Sequence, residues 1–238
     1  MKWFLVGLAL AGCASAGKGN SIIGGITDAG PRTDADDIPE PDASLIDAPA
    51  AQITLEQTTS GTITLNHAFA CISSGVTLEN SYYRVFTLAD FNITTTLHVT
   101  QVDFGIQTAT AGTGQQQPAT VKIGTYGGTT GGTTLDLSQV RPVSSVDIQI
   151  PNGSGTRMTV PITADIAPGT SMIVELLIPD GVAAGNKFFI GTNGLREQKP
   201  GYTRAPDCGY TSPTAMNQVA SDISVGETDL VLSVTGTR

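Results

Sequence analysis

"SMIVELLI" (Ser171–Ile178) puts Met172, Val174, Leu176 and Ile178 on one side of an extended chain and Ile173, Glu175 and Leu177 on the other. Successive side chains of a strand point to opposite faces of a sheet, so this period-two alternation predicts a β-strand. Upstream, "VDIQI" (146–150) repeats the pattern with Val146, Ile148 and Ile150 on one face and Asp147 and Gln149 on the other. "RMTVPIT" (157–163) repeats it with Met158, Val160 and Ile162, although Pro161 lacks an amide donor and directs that strand to an edge or a bulge.

Further strands are predicted at 52–57, 61–65, 82–88, 97–106, 119–125, 187–191 and 229–235. In "LHVTQVDFGI" (97–106) the apolar phase shifts between Val99 and Val102, which predicts a β-bulge. Turn chemistry separates the runs at Pro151-Asn152-Gly153, Pro168-Gly169, Pro179-Asp180-Gly181 and Asn193-Gly194. No long stretch shows apolar residues at helical spacing. Thr, Val, Ile and Gly dominate instead, and about ten short strands predict an all-β fold, an antiparallel β-sandwich or jelly roll over 51–238.

The first fifty residues differ in kind. Lys2 precedes an apolar run, Trp3 to Ala11, that is about half the length needed to span a bilayer. This pattern predicts a secretory signal peptide over 1–12. Leu10-Ala11-Gly12-Cys13 resembles a bacterial lipobox, which implies lipidation of Cys13 and, with Ala14 following, an outer-membrane or cell-surface destination. The alternative is plain secretion, with cleavage after Ala14-Ser15-Ala16. Residues 13–50 lack aromatics after the cysteine and carry seven acidic against two basic residues. They are expected to form a disordered, self-repelling Asp/Ala/Pro-rich tether of about 30 Å as a flexible coil and about 120 Å at full stretch. Asp34-x-Asp36 begins like an EF-hand loop but lacks its Gly and terminal Glu, so it reads as part of the spacer.

With Cys13 lipidated, Cys71 and Cys208 remain in a compartment that permits disulfides. A bridge between them is the expectation, two free thiols the alternative. No third or fourth soft ligand stands near either, so no metal and no cofactor is predicted. The stretches "ENSYYRVFTLADF" (79–91), "VTQVDFGIQTA" (99–109), "TVPITADIAPGTSMIVELLIPDGVAAGNKFFIGTN" (159–193) and "DCG" (207–209) resemble a β-sandwich module of large secreted bacterial proteins. There the module accompanies proteases or sorting domains. The resemblance spans most of 62–235, implies a jelly-roll-like accessory domain with a structural 80–91 segment, and carries no catalytic residue.

The chemistry of the domain is sparse. His67 and His98 belong to no nucleophile elbow or metalloprotease motif. Glu56, Glu79, Asp90, Asp103 and Glu175 are candidates for a glycosidase carboxylate pair, with Asp90 and Asp103 better read as turn caps or partners of Arg84. "GTYGGTTGGTTLD" (124–136) is Gly/Thr-rich but lacks the Lys-Ser/Thr ending of a phosphate loop. Tyr82 and Tyr83 alternate on a strand, so one belongs to the core. Tyr202 and Tyr210 flank Cys208 in a predicted loop, where they could form a ligand surface or simply cover the disulfide. Asn92-Ile93-Thr94 and Asn152-Gly153-Ser154 match sequons and read as ordinary loop residues beside a bacterial lipobox.

The domain carries 14 acidic against 9 basic residues, which disfavours nucleic acid as a partner. The expected function is a lipid-anchored, non-catalytic binding, adhesion or envelope-organising module. Its expected partners are the membrane, through the lipid, and a glycan or surface protein. A carbohydrate-active or other hydrolase with an atypical site is the alternative.

Overall fold

Strands form where the alternation places them. The computed structural model describes residues 51–238, so the expected signal peptide, the lipidated Cys13 and the tether lie outside the described residues. In chain order the first strands are β1 (Gln52–Glu56), the short pair β2 (Ile72–Ser73) and β3 (Val76–Thr77), β4 (Asn80–Thr87), β5 (Leu97–Thr110), β6 (Gln116–Tyr126), β7 (Val140–Pro151) and β8 (Gly153–Ile166). After them come β9 (Ser171–Ile178), β10 (Lys187–Ile190), β11 (Thr192–Asn193), β12 (Gly201–Ala205), β13 (Tyr210–Ala215), helix α1 (Met216–Asp222), β14 (Asp229–Leu230) and β15 (Leu232–Thr237).

Six strands form one antiparallel sheet in the order β13-β12-β4-β9-β6-β7. The second sheet has five strands: β1 pairs β15, β15 and β10 pair successive parts of β5, and β8 also pairs β5. The sheets cover each other's apolar faces, the fold of an all-β sandwich. Met172, Val174, Leu176 and Ile178 of β9 all enter this core, with Val121 and Ile123 of β6 and Tyr82 and Phe86 of β4. Phe104 of β5, Val160 and Ile166 of β8, and Leu232 and Val234 of β15 belong to the same core. Each fully buried aliphatic or aromatic side chain contributes about 1.5–3 kcal/mol.

The phase shift in β5 is a register slip between Val99 and Gln101, and Pro161 of β8 stands opposite Gln101. The missing proline amide and the bulge thus coincide, on a strand whose one ladder partner among the described residues is β5. Where β15 gives way to β10 along β5, the backbone of Gly105 donates to Val231 and accepts from Gly191. A Cβ on Gly191 would lie 2.5 Å from the Gly105 backbone, so this junction requires glycine.

Two expectations fail. Residues 61–65 form no strand, and Leu65 is exposed. The segment makes one backbone bond, Thr64 N–H to Thr192 O at 2.8 Å, to a strand only two residues long, which gives no ladder to propagate. The stretch holding Tyr202, Cys208 and Tyr210, expected as a loop, instead forms the hairpin β12–β13, with a 3-10 turn at Pro206–Cys208 and Gly209 at φ 90°.

Candidate functional site

The outer face of the six-stranded sheet carries a second small core. Tyr83 and Val85 of β4, Ile173 of β9, Tyr126 of β6 and Tyr202 of β12 are the residues that alternate away from the main core, and they bury one another with Leu135 and Ala215. The Gly/Thr-rich segment after β6 roofs them. Leu135 N–H donates to Pro213 O, Ala215 N–H donates to Thr133 O, and Thr134 bridges Thr214, so the segment is pinned along β13. Gly128 makes the tight approach: a Cβ there would lie 2.4 Å from the Tyr126 hydroxyl. Asp136 then caps a 3-10 turn, Leu137–Gln139, by accepting from Ser138 N at 3.0 Å and Ser138 Oγ at 2.7 Å. These bonds hold the Asp136 carboxyl below its ordinary pKa.

This turn stands between two concavities. On one side an open basin of about 720 Å³ is lined by Tyr126, Thr129, Thr134, Asp136, Gln139 and Ser212. On the other, a groove of about 180 Å³ is lined by Tyr83, Lys122, Leu137, Val140, Ile173 and Glu175. In the groove the Tyr83 hydroxyl donates to Glu175 at 3.0 Å, and Lys122 pairs with the other Glu175 oxygen at 3.2 Å. Burial first, then the Glu175 charge, raise the Tyr83 pKa, so the hydroxyl stays a donor.

Beneath the other side of β4 lies a buried charge network. Arg84 is fully buried and donates through Nη2 to Asp229 Oδ1 at 3.0 Å and to Leu230 O at 2.7 Å. Glu197 Oε1 lies 3.6 Å from the same nitrogen and accepts from Gly201 N at 2.8 Å, while its Oε2 accepts from Asn217 at 3.2 Å. The second Asp229 oxygen accepts from the Thr58 hydroxyl at 2.7 Å. Two carboxylates thus share one guanidinium out of contact with water. Burial pushes the Glu197 pKa up to about 7 against the attraction of Arg84. Because these oxygens are engaged, the network fastens the segment after β1, β4, β14 and α1 together.

The sequence candidates are dispersed by the fold. Arg84 pairs with neither Asp90 nor Asp103, because it faces inward: Asp90 pairs with Lys199 at 3.2 Å, and Asp103 bonds Thr159 and Gln101 on the opposite sheet. Glu79 pairs with Arg204 at 2.7 Å, and Glu56 is exposed. His98 is outward, 2.7 Å from Asp165, and His67 is half-buried. Tyr82 and Tyr83 are both buried, in the main core and the outer cluster respectively. Tyr202, expected as a ligand surface, is 1% exposed because β12 continues the sheet beneath the roof. Tyr210 is half-buried and donates to Asp222 at 3.2 Å. Cys71 and Cys208 form a disulfide with a Cα–Cα distance of 5.8 Å. Asp136, Gln139, Lys122 and Leu137 were not singled out in the sequence, and the Gly/Thr run beside them was the available signal.

No family model matches the sequence, and no curated protein matches it. Among solved structures, the clostridial cysteine protease Cwp84 after propeptide cleavage is similar over 79% of this chain and 40% of its own, with 11% identity and a TM-score of 0.47. The chain therefore spans less than half the length of that structure.

Proposed function

We propose that the protein is an exported, lipid-anchored module of the cell envelope or surface that binds rather than catalyses. The reading is carried by one observation: the outer face of the six-stranded sheet holds a roofed aromatic cluster that supports two concavities on either side of a fixed turn. Spending a second apolar cluster outside the main core suits a rigid recognition surface built on a scaffold. The lipobox-like Leu10–Cys13 and the acidic stretch behind it support display at a membrane on a long spacer.

Two measurements test this. The full chain, displayed on beads, should retain envelope polysaccharide or surface protein, and Ile173→Asp in the groove floor or Asp136→Ala at the basin should weaken retention. Retention unchanged by both variants overturns the assignment of the face. Turnover of a polysaccharide, lost in Glu175→Gln in the groove, would favour the hydrolase reading instead. For the anchor, Cys13→Ser should release the protein from the membrane fraction. A variant that fractionates like the parent, with no acylated N-terminus by mass spectrometry, overturns it.

A further inference from the structure

We infer that the basin beside the Gly/Thr-rich roof is a binding site for an uncharged sugar ring. The inference rests on the binding-module reading and names the ligand class of its larger concavity. The lining chemistry is that of a polyol acceptor. Asp136 spends Oδ1 on Ser138, and the Gln139 side chain also bonds the carboxyl, which stands exposed at the basin. A carboxylate has about four acceptor sites, so it keeps room for a sugar hydroxyl.

Around it stand Gln139, with an amide side chain, the hydroxyl-bearing Thr129, Thr134 and Ser212, and Gly127 and Gly128, which bring no side chain. A pyranose presents hydroxyls that both donate and accept around its rim, which this mixture matches, whereas an apolar ligand would strand most of it without partners. The basin is open, about 720 Å³, so a ring can settle in it while the rest of a chain continues outward.

Its parts are held still. The Tyr126 hydroxyl accepts from Asp136 N–H at 3.2 Å, and Ser212 lies on β13, along which Leu135 and Ala215 pin the roof. Such positioning lowers the ordering cost that a weak ligand must overcome. The one formal charge in the lining is the carboxylate of Asp136. An acidic sugar would bring a second carboxylate to it, so uronic acids are disfavoured relative to neutral rings.

The test is amide NMR on the full chain titrated with methyl glucoside, methyl galactoside, methyl mannoside, methyl N-acetylglucosaminide and methyl glucuronide. At least one neutral glycoside should give saturable shifts, with a millimolar Kd, centred on Gly127–Thr134, Asp136, Gln139 and Ser212. Methyl glucuronide should bind at least five-fold more weakly than methyl glucoside. Asp136→Ala should weaken binding at least ten-fold, and Asp136→Asn, which keeps the turn capped, at least five-fold at unchanged melting temperature. Absence of saturable shifts at these residues, equal binding of the glucuronide, or parental binding by Asp136→Asn overturns the inference. Glycoside shifts confined to Tyr83, Lys122 and Ile173 would overturn it too while leaving the binding-module reading standing. That reading fails separately, if beads bearing the full chain retain nothing from the envelope.

Discussion

The two outer faces of this sandwich are finished in opposite ways. On the five-stranded sheet, polar side chains bond one another, Gln101 to Asp103 along β5, and Thr159 to Asp103, Thr54 to Thr235 and Arg157 to Ser233 across strands. Thr54, Arg157 and Thr159 are exposed on that face, while Ser233 and Thr235 of the central strand are buried beneath their polar neighbours. On the six-stranded sheet, Tyr83, Val85, Tyr126, Ile173 and Tyr202 are buried under the roof and β13. An antiparallel sheet needs only one covered face. The second cover is therefore additional structure, and it is where the basin and groove lie.

If the covered side depends on its own fastenings, cutting them should cost more than any change on the polar side. The disulfide is the largest. It ties Cys71, just ahead of β2, to the β12–β13 turn, closing 137 residues of chain. In the chain-entropy model this contributes about 4–5 kcal/mol, so replacing both cysteines with Ala should lower the melting temperature by about 10 °C or more, read by circular dichroism. An unchanged melting curve would break the comparison at its strongest point.

Next comes the buried charge. Arg84→Leu leaves Asp229 and Glu197 without their shared cation, and denaturant unfolding should show a loss of about 3–5 kcal/mol. Glu197 adds a pH dependence. Its pKa is raised on folding from 4.5 to about 7, so the folded state holds the proton more tightly than the unfolded chain does. The stabilisation is complete below pH 4.5 and is lost as pH rises toward 7, by about 3 kcal/mol. Glu197→Gln should flatten that slope between pH 4.5 and 7 in urea titrations. A slope that persists in the variant would assign the dependence elsewhere.

The smallest effect compares the faces directly. Ile173→Ala under the roof should cost about 2–4 kcal/mol, while Thr159→Ala on the polar face should stay within about 0.5 kcal/mol. Equal costs would mean that the roofed cluster is ornamental to stability.

What could be read in advance follows from how local each signal is. The alternation of 171–178, the bulge near Val99 and the special place of Pro161 are all written within a few residues, and all appear in the structure. The cysteine pair was legible because exclusion left only two. Arg84 was not legible, since Asp229 lies 145 residues away and nothing local marks the arginine as inward-facing. Tyr202 was misplaced because Pro206-Asp207-Cys208-Gly209 reads as loop, when it is only the turn between two strands. The basin was invisible for a related reason: a run of glycine and threonine states that the chain is free to bend but not what it bends over.

The pairing of β1 with β15 also sets a sequence of events. Gln52 lies opposite Thr237 and Glu56 opposite Ser233, so the first strand of the described domain waits for the last. A chain emerging from a ribosome or a translocation pore amino end first must hold β1 unpaired until nearly every other residue has appeared. Contacts of such long sequence separation slow folding. Through that interval the strand offers an open ladder to any extended segment nearby, which makes chaperone capture during biogenesis more consequential here than in a domain whose ends close locally.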